Sequence, residues 1–425
     1  MPLTPSELIL NDEKSLPPWA VGRSVADVLA ERPGLDQWWT PLLLVDRRRL
    51  SHNIGFFASW ARALGVEHMP HGKTSMAPEL WREQIDAGAS GITVATPWQA
   101  RIAVESGIAT IMLANQVADP HTAQWLAHHQ SESAQVIPWV DSPLAVDLLA
   151  DAGRQAGTTI GVLVEVGRPG GRTGTRSLAD ARALIARIHH SDGVTLAGIA
   201  GYEGAVTHGR GADALATVKT FVTDLVGLAR EARTGDAPLI VTAGGSAYPD
   251  VVADALSMAV AEGMRGILRS GAYILHDEGH YEEISPFDHG RLAGGLLPAA
   301  RAHARVVSAP EPGLVLLDAG KRDLPYDEGL PRPLRAWTAD GRSIDLAATG
   351  SDSQPDDAQP AKVTALNDQH AFLATGSAVL SVGDVVELGL SHPCTMTDKW
   401  RLIPVVDNLE RGRDAVIVDF LQTHF

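Results

Sequence analysis

Only one cysteine, Cys394, occurs in the 425 residues, which excludes an intrachain disulfide and fits a reducing compartment. No apolar run approaches the roughly 18 residues of a membrane span. The opening stretch MPLTPSELILNDEKSLPPW lacks the basic and apolar regions of a secretory signal. Positive charge is scarce: 35 Lys+Arg stand against 51 Asp+Glu, a net charge of −16. There is no basic run, aromatic ladder or basic amphipathic helix. Non-specific binding to nucleic acid or to an anionic membrane is therefore not expected, although a local basic pocket stays compatible with the balance. What is left is a cytoplasmic enzyme or binding protein, long enough for two domains.

From about Thr40 to Asp277, short apolar runs alternate with amphipathic stretches. The runs are VEHMPHGK (66–73), GITVAT (91–96), TIMLANQ (110–116), QVIPWVDS (135–142), TIGVLVEVG (159–167), TLAGIAGYEG (195–204), LIVTAGGS (239–246) and GILRSGAY (266–273). Near-continuous Val, Ile and Leu mark parallel strands covered on both faces. Between them, Ser177 and Asp180 form a capping box ahead of Leu178, Ala181, Leu184, Ile185 and Ile188 on one helical face. Residues 214–230 repeat the period through Leu215, Val218, Phe221, Val222 and Leu225. Eight strands alternating with helices predict a TIM (β/α)8 barrel over 40–285. Past Ile284, short strand-like runs (ARVVSA, GLVLLDAG, HAFLAT, DVVELGLS, RLIPVVD, AVIVDFL) are separated by turn residues. They predict a mainly antiparallel β domain over 286–425. The polar stretch 350–360 reads as an exposed loop.

Five clusters carry chemistry. Lys73, in Pro70-His71-Gly72-Lys73-Thr74, ends the first barrel strand, on the face where such barrels keep their sites. It is either a solvent-reaching amine or a Schiff-base lysine. Arg168-Pro169-Gly170-Gly171-Arg172-Thr173-Gly174 follows strand five and suits an anion or a ring nitrogen, or is a glycine-rich turn with solvated arginines. Gly244-Gly245-Ser246 after strand seven and Ser270-Gly271-Ala272-Tyr273 in strand eight occupy the recurrent phosphate position of these barrels. A lysine at strand one with phosphate at strands seven and eight points to pyridoxal 5′-phosphate. His392 and Cys394, two apart on an extended segment, can turn to one side and bind a borderline metal, most naturally Zn²⁺, though another divalent ion is compatible. A buried cysteine beside an ordinary histidine gives the same tripeptide.

Taken in order, P-H-x-K-T, V-E-V-x(5)-R-T-G (164–174), G-Y-E-G (201–204), G-G-S, S-G-A-Y and H-x-C resemble the fold-type-III pyridoxal-phosphate family of D-serine dehydratase and D-threonine aldolase. The resemblance runs from about Pro41 to Val405. It implies an alanine-racemase-like barrel, cofactor attachment at Lys73, a β domain that includes residues 1–39, and a homodimer with sites near its interface. It further implies Arg172 at the pyridine nitrogen and Tyr202 lining the cofactor pocket. Gly244, Gly245, Ser246, Gly271 and Tyr273 would hold the phosphate, and His392 and Cys394 the metal. This chain departs from the dehydratases at Asn367-Asp368-Gln369-His370. There Gln369 replaces an acidic residue before the histidine, and Ala371 a glycine after it. The insertion at 350–360 and a longer amino terminus are further departures.

An arginine at the pyridine nitrogen disfavours its protonation and weakens the ring as an electron sink. A metal at the substrate hydroxyl then supplies Lewis acidity, and the freed Lys73 amine is the natural base for the α-proton. In the family, H-x-C resembles the dehydratases and H-x-D the aldolases. The expectation is dehydration and deamination of a D-β-hydroxy amino acid. Retro-aldol cleavage to glycine and an aldehyde is the alternative, and a non-catalytic pyridoxal-phosphate carrier is the alternative from another class. His71, and His208 after strand six, are further candidates for proton relay or carboxylate binding, each equally readable as a polar barrel-mouth residue.

Overall fold

The computed structural model describes residues 8–131, 133–288, 291–347 and 359–425. Most of the expected loop at 350–360 lies outside them. The first strand, β1 (Leu42–Asp46), is followed by the barrel set: β2 (Glu67–His68), β3 (Ile92–Val94), β4 (Thr110–Gln116), β5 (Gln130–Ser131), β6 (Ala134–Val140), β7 (Ile160–Val166), β8 (Val194–Gly201), β9 (Ile240–Ala243) and β10 (Arg265–Leu268). Each of the eight apolar runs contains one parallel strand, and β5 is a short antiparallel addition to β6. The sheet runs β2-β10-β9-β8-β7-β6-β4-β3. A parallel bridge between His71 and Thr93, with the Thr93 N–H donating to Pro70 O at 2.9 Å, brings its two ends together. Strand β2 is short for a local reason. Pro70 has no N–H to offer a ladder, and the chain then winds into a 3₁₀ turn at Gly72–Thr74.

Helices wrap the barrel, and five of them (Pro78–Asp86, Pro97–Glu105, Pro120–His128, Pro143–Ala156 and Pro249–Ala261) open on a proline. The ring suits a first turn whose N–H has no intrahelical acceptor. The helix Leu178–His189 buries Ala181, Leu184, Ile185 and Ile188, and Ala212–Ala232 buries Val218, Val222 and Leu225, the faces read from their periodicity. Ser177 Oγ accepts from the Asp180 N–H at 3.1 Å. The Asp180 carboxylate returns to the serine hydroxyl at 2.8 Å rather than to the serine N–H. Ser177→Ala should lower unfolding free energy by about 1 kcal/mol, read as a shifted urea midpoint, with activity unchanged. Inside the barrel, Met69, Met112, Ile137, Trp139, Leu163, Ala200, Ile240 and Ile267 form a packed plug. The ligand space is therefore at the mouth.

The second sheet is built from β1 with β11 (Ala300–Glu311), β12 (Leu314–Leu317), β13 (Arg332–Trp337), β14 (Ser343–Asp345), β15 (Lys362–Leu366), β16 (Ala371–Ala374), β17 (Val385–Gly389), β18 (Leu402–Val406) and β19 (Ile417–Gln422). Its order is β14-β13-β17-β11-β1-β18-β19, and β12, β16 and β15 extend from the far half of β11. Here the expected boundary needs correcting. Strand β1 falls within 40–285 but pairs antiparallel with β11 and parallel with β18. LLLVD is covered on both faces in either sheet, so its composition does not say which it joins. Asp46 then caps the helix Arg47–Ala63, accepting from Arg49 N at 2.9 Å and Leu409 N at 2.7 Å. The amino-terminal Leu10, Leu16, Val25, Val28 and Trp38 pack with β18 and β19 residues in a separate core, so this segment joins the β domain. Among the described residues, no helix is long and apolar enough to cross a membrane.

Candidate active site

The loops that follow the barrel strands converge with the turn after β17 on a cavity of about 760 Å³. Lys73, Arg172, Tyr202, Gly244, Gly245, Ser246, Gly271, His392 and Cys394 all line it. Residues remote in sequence are thus brought to one mouth by the strand ends that carry them.

The Arg172 loop is pinned from below. Buried Glu165, on β7, accepts from Gln116 Nε2 at 2.6 Å and Thr173 Oγ1 at 3.0 Å. Asp141 accepts the Gly174 N–H at 3.0 Å. Gly174 has φ +97°, and a Cβ there would lie 2.5 Å from Gly167 N, so this turn requires glycine. The Arg172 guanidinium consequently lies over the Tyr202 ring, 4.8 Å from its centroid. Burial raises the Tyr202 phenol, with Glu203 adding to the effect, so the ring stays neutral.

The glycines after β9 act differently from the expectation. The Gly244 N–H donates to buried Glu203 Oε2 at 3.0 Å, so it is not offered to a ligand. The N–H groups of Ser246 and Ala272, both at the cavity wall, take no partner among the described residues. They are available to an anion. Tyr273 is a correction. Strand β10 ends at Leu268, and the chain turns through a 3₁₀ element at Ala272–Ile274. That turn sends the Tyr273 ring away from the cavity, to stack on Phe57 at 4.4 Å, where its hydroxyl accepts from Gln84 Nε2 at 2.8 Å.

Lys73 makes no ion pair among the described residues, leaving an uncommitted primary amine in the pocket. Beside it, burial holds His71 well below the usual imidazole range, helped by Lys73, Arg269 and Arg172, and its Nδ1 is buried without a partner among the described residues. An uncommitted amine, a guanidinium stacked on a phenol, an orphaned imidazole nitrogen and two free N–H groups fit pyridoxal phosphate. His208 is exposed and does not line the cavity, because the Glu203–Ala205 turn carries the chain outward first. His370 sits exposed in the turn between β15 and β16, also away from the cavity.

His392 and Cys394 do come together, but not on an extended segment. His392 adopts φ +72°, and Pro393–Thr395 is a 3₁₀ turn. The left-handed residue reverses the chain so that both side chains face the mouth. Asp277 stabilises that reversal by accepting the His392 N–H at 2.8 Å and the Gly279 and Tyr281 N–H groups at 2.8 Å. The His392 Nδ1 meets Asp327 Oδ2 at 2.6 Å. Burial opposes its charge, but the Cys394 thiol and Asp327 bring its pKa up to about 9. Burial likewise pushes the thiol up, yet hydrogen bonds from His392 and Thr74 bring it below its usual range. The Thr74 Oγ1 to Cys394 Sγ distance is 3.2 Å. Burial keeps the Tyr281 hydroxyl, 3.8 Å from that sulfur, well above its ordinary pKa.

Several lining residues escape sequence reading. Arg269 lies inside the GILRSGAY run. It donates to Gly201 O at 2.6 Å and Thr242 Oγ1 at 3.2 Å, and lies 4.6 Å from the Trp139 ring centroid. Burial lowers its pKa to about 10. A charged residue in an apolar strand run was the available signal. Gln99, Asn115 and Phe425 also line the cavity, and nothing in their local sequence marks them; Asp398, which follows the H-x-C motif and could orient its ligands, lines it too. Asp327 stands 65 positions before His392, so only the fold joins them.

Residues 45–248 match the family model described as "Alanine racemase, N-terminal domain", and residues 299–406 the one described as "Putative serine dehydratase domain". A D-threonine aldolase from Arthrobacter sp. is 30% identical over 296 residues, covering 69% of this chain and 74% of that protein. The D-threo-3-hydroxyaspartate dehydratase of Delftia sp. (strain HT23) is 32% identical over 168 residues, 39% of this chain and 44% of that one. The crystal structure of D-threonine aldolase from Filomicrobium marinum shares the fold, with a TM-score of 0.74 and 24% identity over 92% of this chain and 97% of that one. With that barrel, that β domain and Lys73 at the mouth between them, the chain belongs to the fold-type-III pyridoxal-phosphate family, of alanine-racemase-like fold, that contains D-threonine aldolase and D-serine dehydratase.

Proposed function

We propose that the protein is a pyridoxal-phosphate- and divalent-metal-dependent lyase that dehydrates and deaminates a D-β-hydroxy amino acid to a 2-oxo acid and ammonia. The observation that carries this reading is the meeting of His392 and Cys394 with Lys73 in one cavity. Bound pyridoxal phosphate supplies the electron sink for the α-carbon. Lys73 would hold it covalently, Arg172 and Tyr202 would border its ring, and Ser246, Gly245 and Gly271 would line its phosphate end.

The residues at the metal position fit a borderline cation. His392 and Cys394 both line the cavity, and an imidazole nitrogen with a thiol sulfur is a donor set that suits Zn²⁺. Among the described residues no third His, Cys, Asp or Glu completes a cluster. Two protein ligands leave positions for water or the substrate hydroxyl, as a Lewis-acid site requires. Lys73 Nζ would take the proton from the substrate Cα. The Tyr281 hydroxyl, kept protonated beside Cys394, would donate to the departing hydroxyl. His71, held neutral, orients rather than carries charge.

Retro-aldol cleavage is the second reading, favoured by the Arthrobacter aldolase that matches 69% of the chain. A cofactor carrier has no use for a thiol–imidazole pair in the cofactor cavity, which argues against that alternative. A homodimer belongs to the same proposal. Incubation of the loaded enzyme with D- and L-threonine separates the readings. 2-Oxobutanoate and ammonia from the D isomer alone are expected. Glycine and acetaldehyde would replace the dehydratase by the aldolase, and reaction of neither isomer, nor of serine or 3-hydroxyaspartate, would remove both.

A further inference from the structure

Two peptide groups at the cavity wall are held from behind by one residue. Ser270 is only 1% exposed and does not line the cavity. Its Oγ donates to Gly245 O at 2.7 Å, and its own carbonyl accepts from His68 Nε2 at 3.0 Å. A carbonyl has no proton to give, so Nε2 carries the His68 proton. Burial holds that ring neutral, with its pKa lowered to about 4. Both bonds therefore persist across the neutral range.

In a trans peptide the carbonyl and the N–H that follows it point in opposite directions, and both peptides here are trans. Turning the Gly245 carbonyl toward Ser270 thus turns the Ser246 N–H away from it. Turning the Ser270 carbonyl toward His68 does the same for the Gly271 N–H. Ser246 and Gly271 both line the cavity, and neither N–H takes a partner among the described residues. On the other flank Glu203 Oε2 accepts the Gly244 N–H at 3.0 Å, so the 244–246 loop is fixed at both ends. A Cβ on Gly271 would lie 2.5 Å from His71 O, which seats the second loop directly against the turn that carries Lys73. N–H groups fixed in advance bind an anion better than freely turning ones, because nothing has to reorient on binding.

Resting on the pyridoxal-phosphate reading of this cavity, we propose that Ser270, anchored by His68, is a positioning residue for the cofactor phosphate: it fixes the 245–246 and 270–271 peptides so that two N–H groups face the anion, without touching it. The test strips the holoenzyme of its cofactor and titrates the protein with pyridoxal phosphate and, separately, with pyridoxal, which lacks the phosphate. Both titrations are followed through the visible band. The wild type should bind pyridoxal phosphate the more tightly. In Ser270→Ala the ratio of the two affinities should fall about tenfold, almost wholly through weaker binding of pyridoxal phosphate. His68→Phe keeps the buried ring and loses the donor, so it should shrink the ratio in the same direction and carries the test should Ser270→Ala not fold. A serine with a merely structural role would weaken both ligands alike. That result, or an unchanged ratio in Ser270→Ala (in His68→Phe, should that variant alone fold), overturns the inference. A wild type that binds both ligands equally overturns the cradle and leaves the cofactor reading standing. A wild type that binds neither sinks that reading and the inference with it.

Discussion

Lys73→Ala is expected to yield a colourless protein with no measurable turnover. The wild type should show the lysine-bound cofactor band near ~420 nm. Among the described residues Lys73 is the one lysine lining the cavity, so no neighbouring amine there replaces it. The loss in kcat should be at least about 10³-fold, because one side chain is asked both to hold the cofactor and to move the Cα proton. Thermal unfolding should change little, since Lys73 makes no ion pair among the described residues. A Lys73→Ala protein that still carries the band, or a wild type that stays colourless with added cofactor, would overturn the assignment.

Metal removal should have the second largest effect. Chelator treatment, His392→Ala or Cys394→Ala should each lower turnover by about 10³-fold, the scale of a lost Lewis acid. The visible spectrum should persist, because neither side chain belongs to the Lys73–Arg172 wall. A graded test comes from Asp327, whose carboxylate fixes the His392 ring at 2.6 Å. Asp327→Asn should weaken metal affinity about 10–100-fold, measured directly by titration of the metal-free protein. Full activity after rigorous metal removal would leave the thiol–imidazole pair a structural contact.

The eight barrel strands were legible because a strand covered on both faces must be apolar along its whole length, and a doubly covered parallel strand writes that requirement locally. The same rule explains the miss at β1, whose LLLVD satisfies it in a different sheet. Strands β13, β14 and β15 were not read at all. Arg332–Trp337 mixes arginines and proline with apolar residues, and its place is set by pairing with β17 and β14 rather than by its own pattern.

The site divides along a similar line. Lys73, Arg172, Gly244 to Ser246, Gly271, His392 and Cys394 could be chosen from sequence because each sits in a short motif whose chemistry is carried by its own neighbours. Motif membership also misassigned Tyr273, since a 3₁₀ turn decides side-chain direction and one motif permits several turns. It placed His392 and Cys394 on an extended segment, whereas a left-handed residue held by Asp277 brings them to the mouth. Asp327, Phe425 and Arg269 acquire their positions from contacts between segments remote in the chain. The amino-acid sequence alone thus determined the barrel, the candidate amine and the donor types, because hydrophobic period and side-chain chemistry are local properties. Tertiary structure alone decided which groups face one another across the cavity, because that depends on strand closure, turn handedness and long-range pairing.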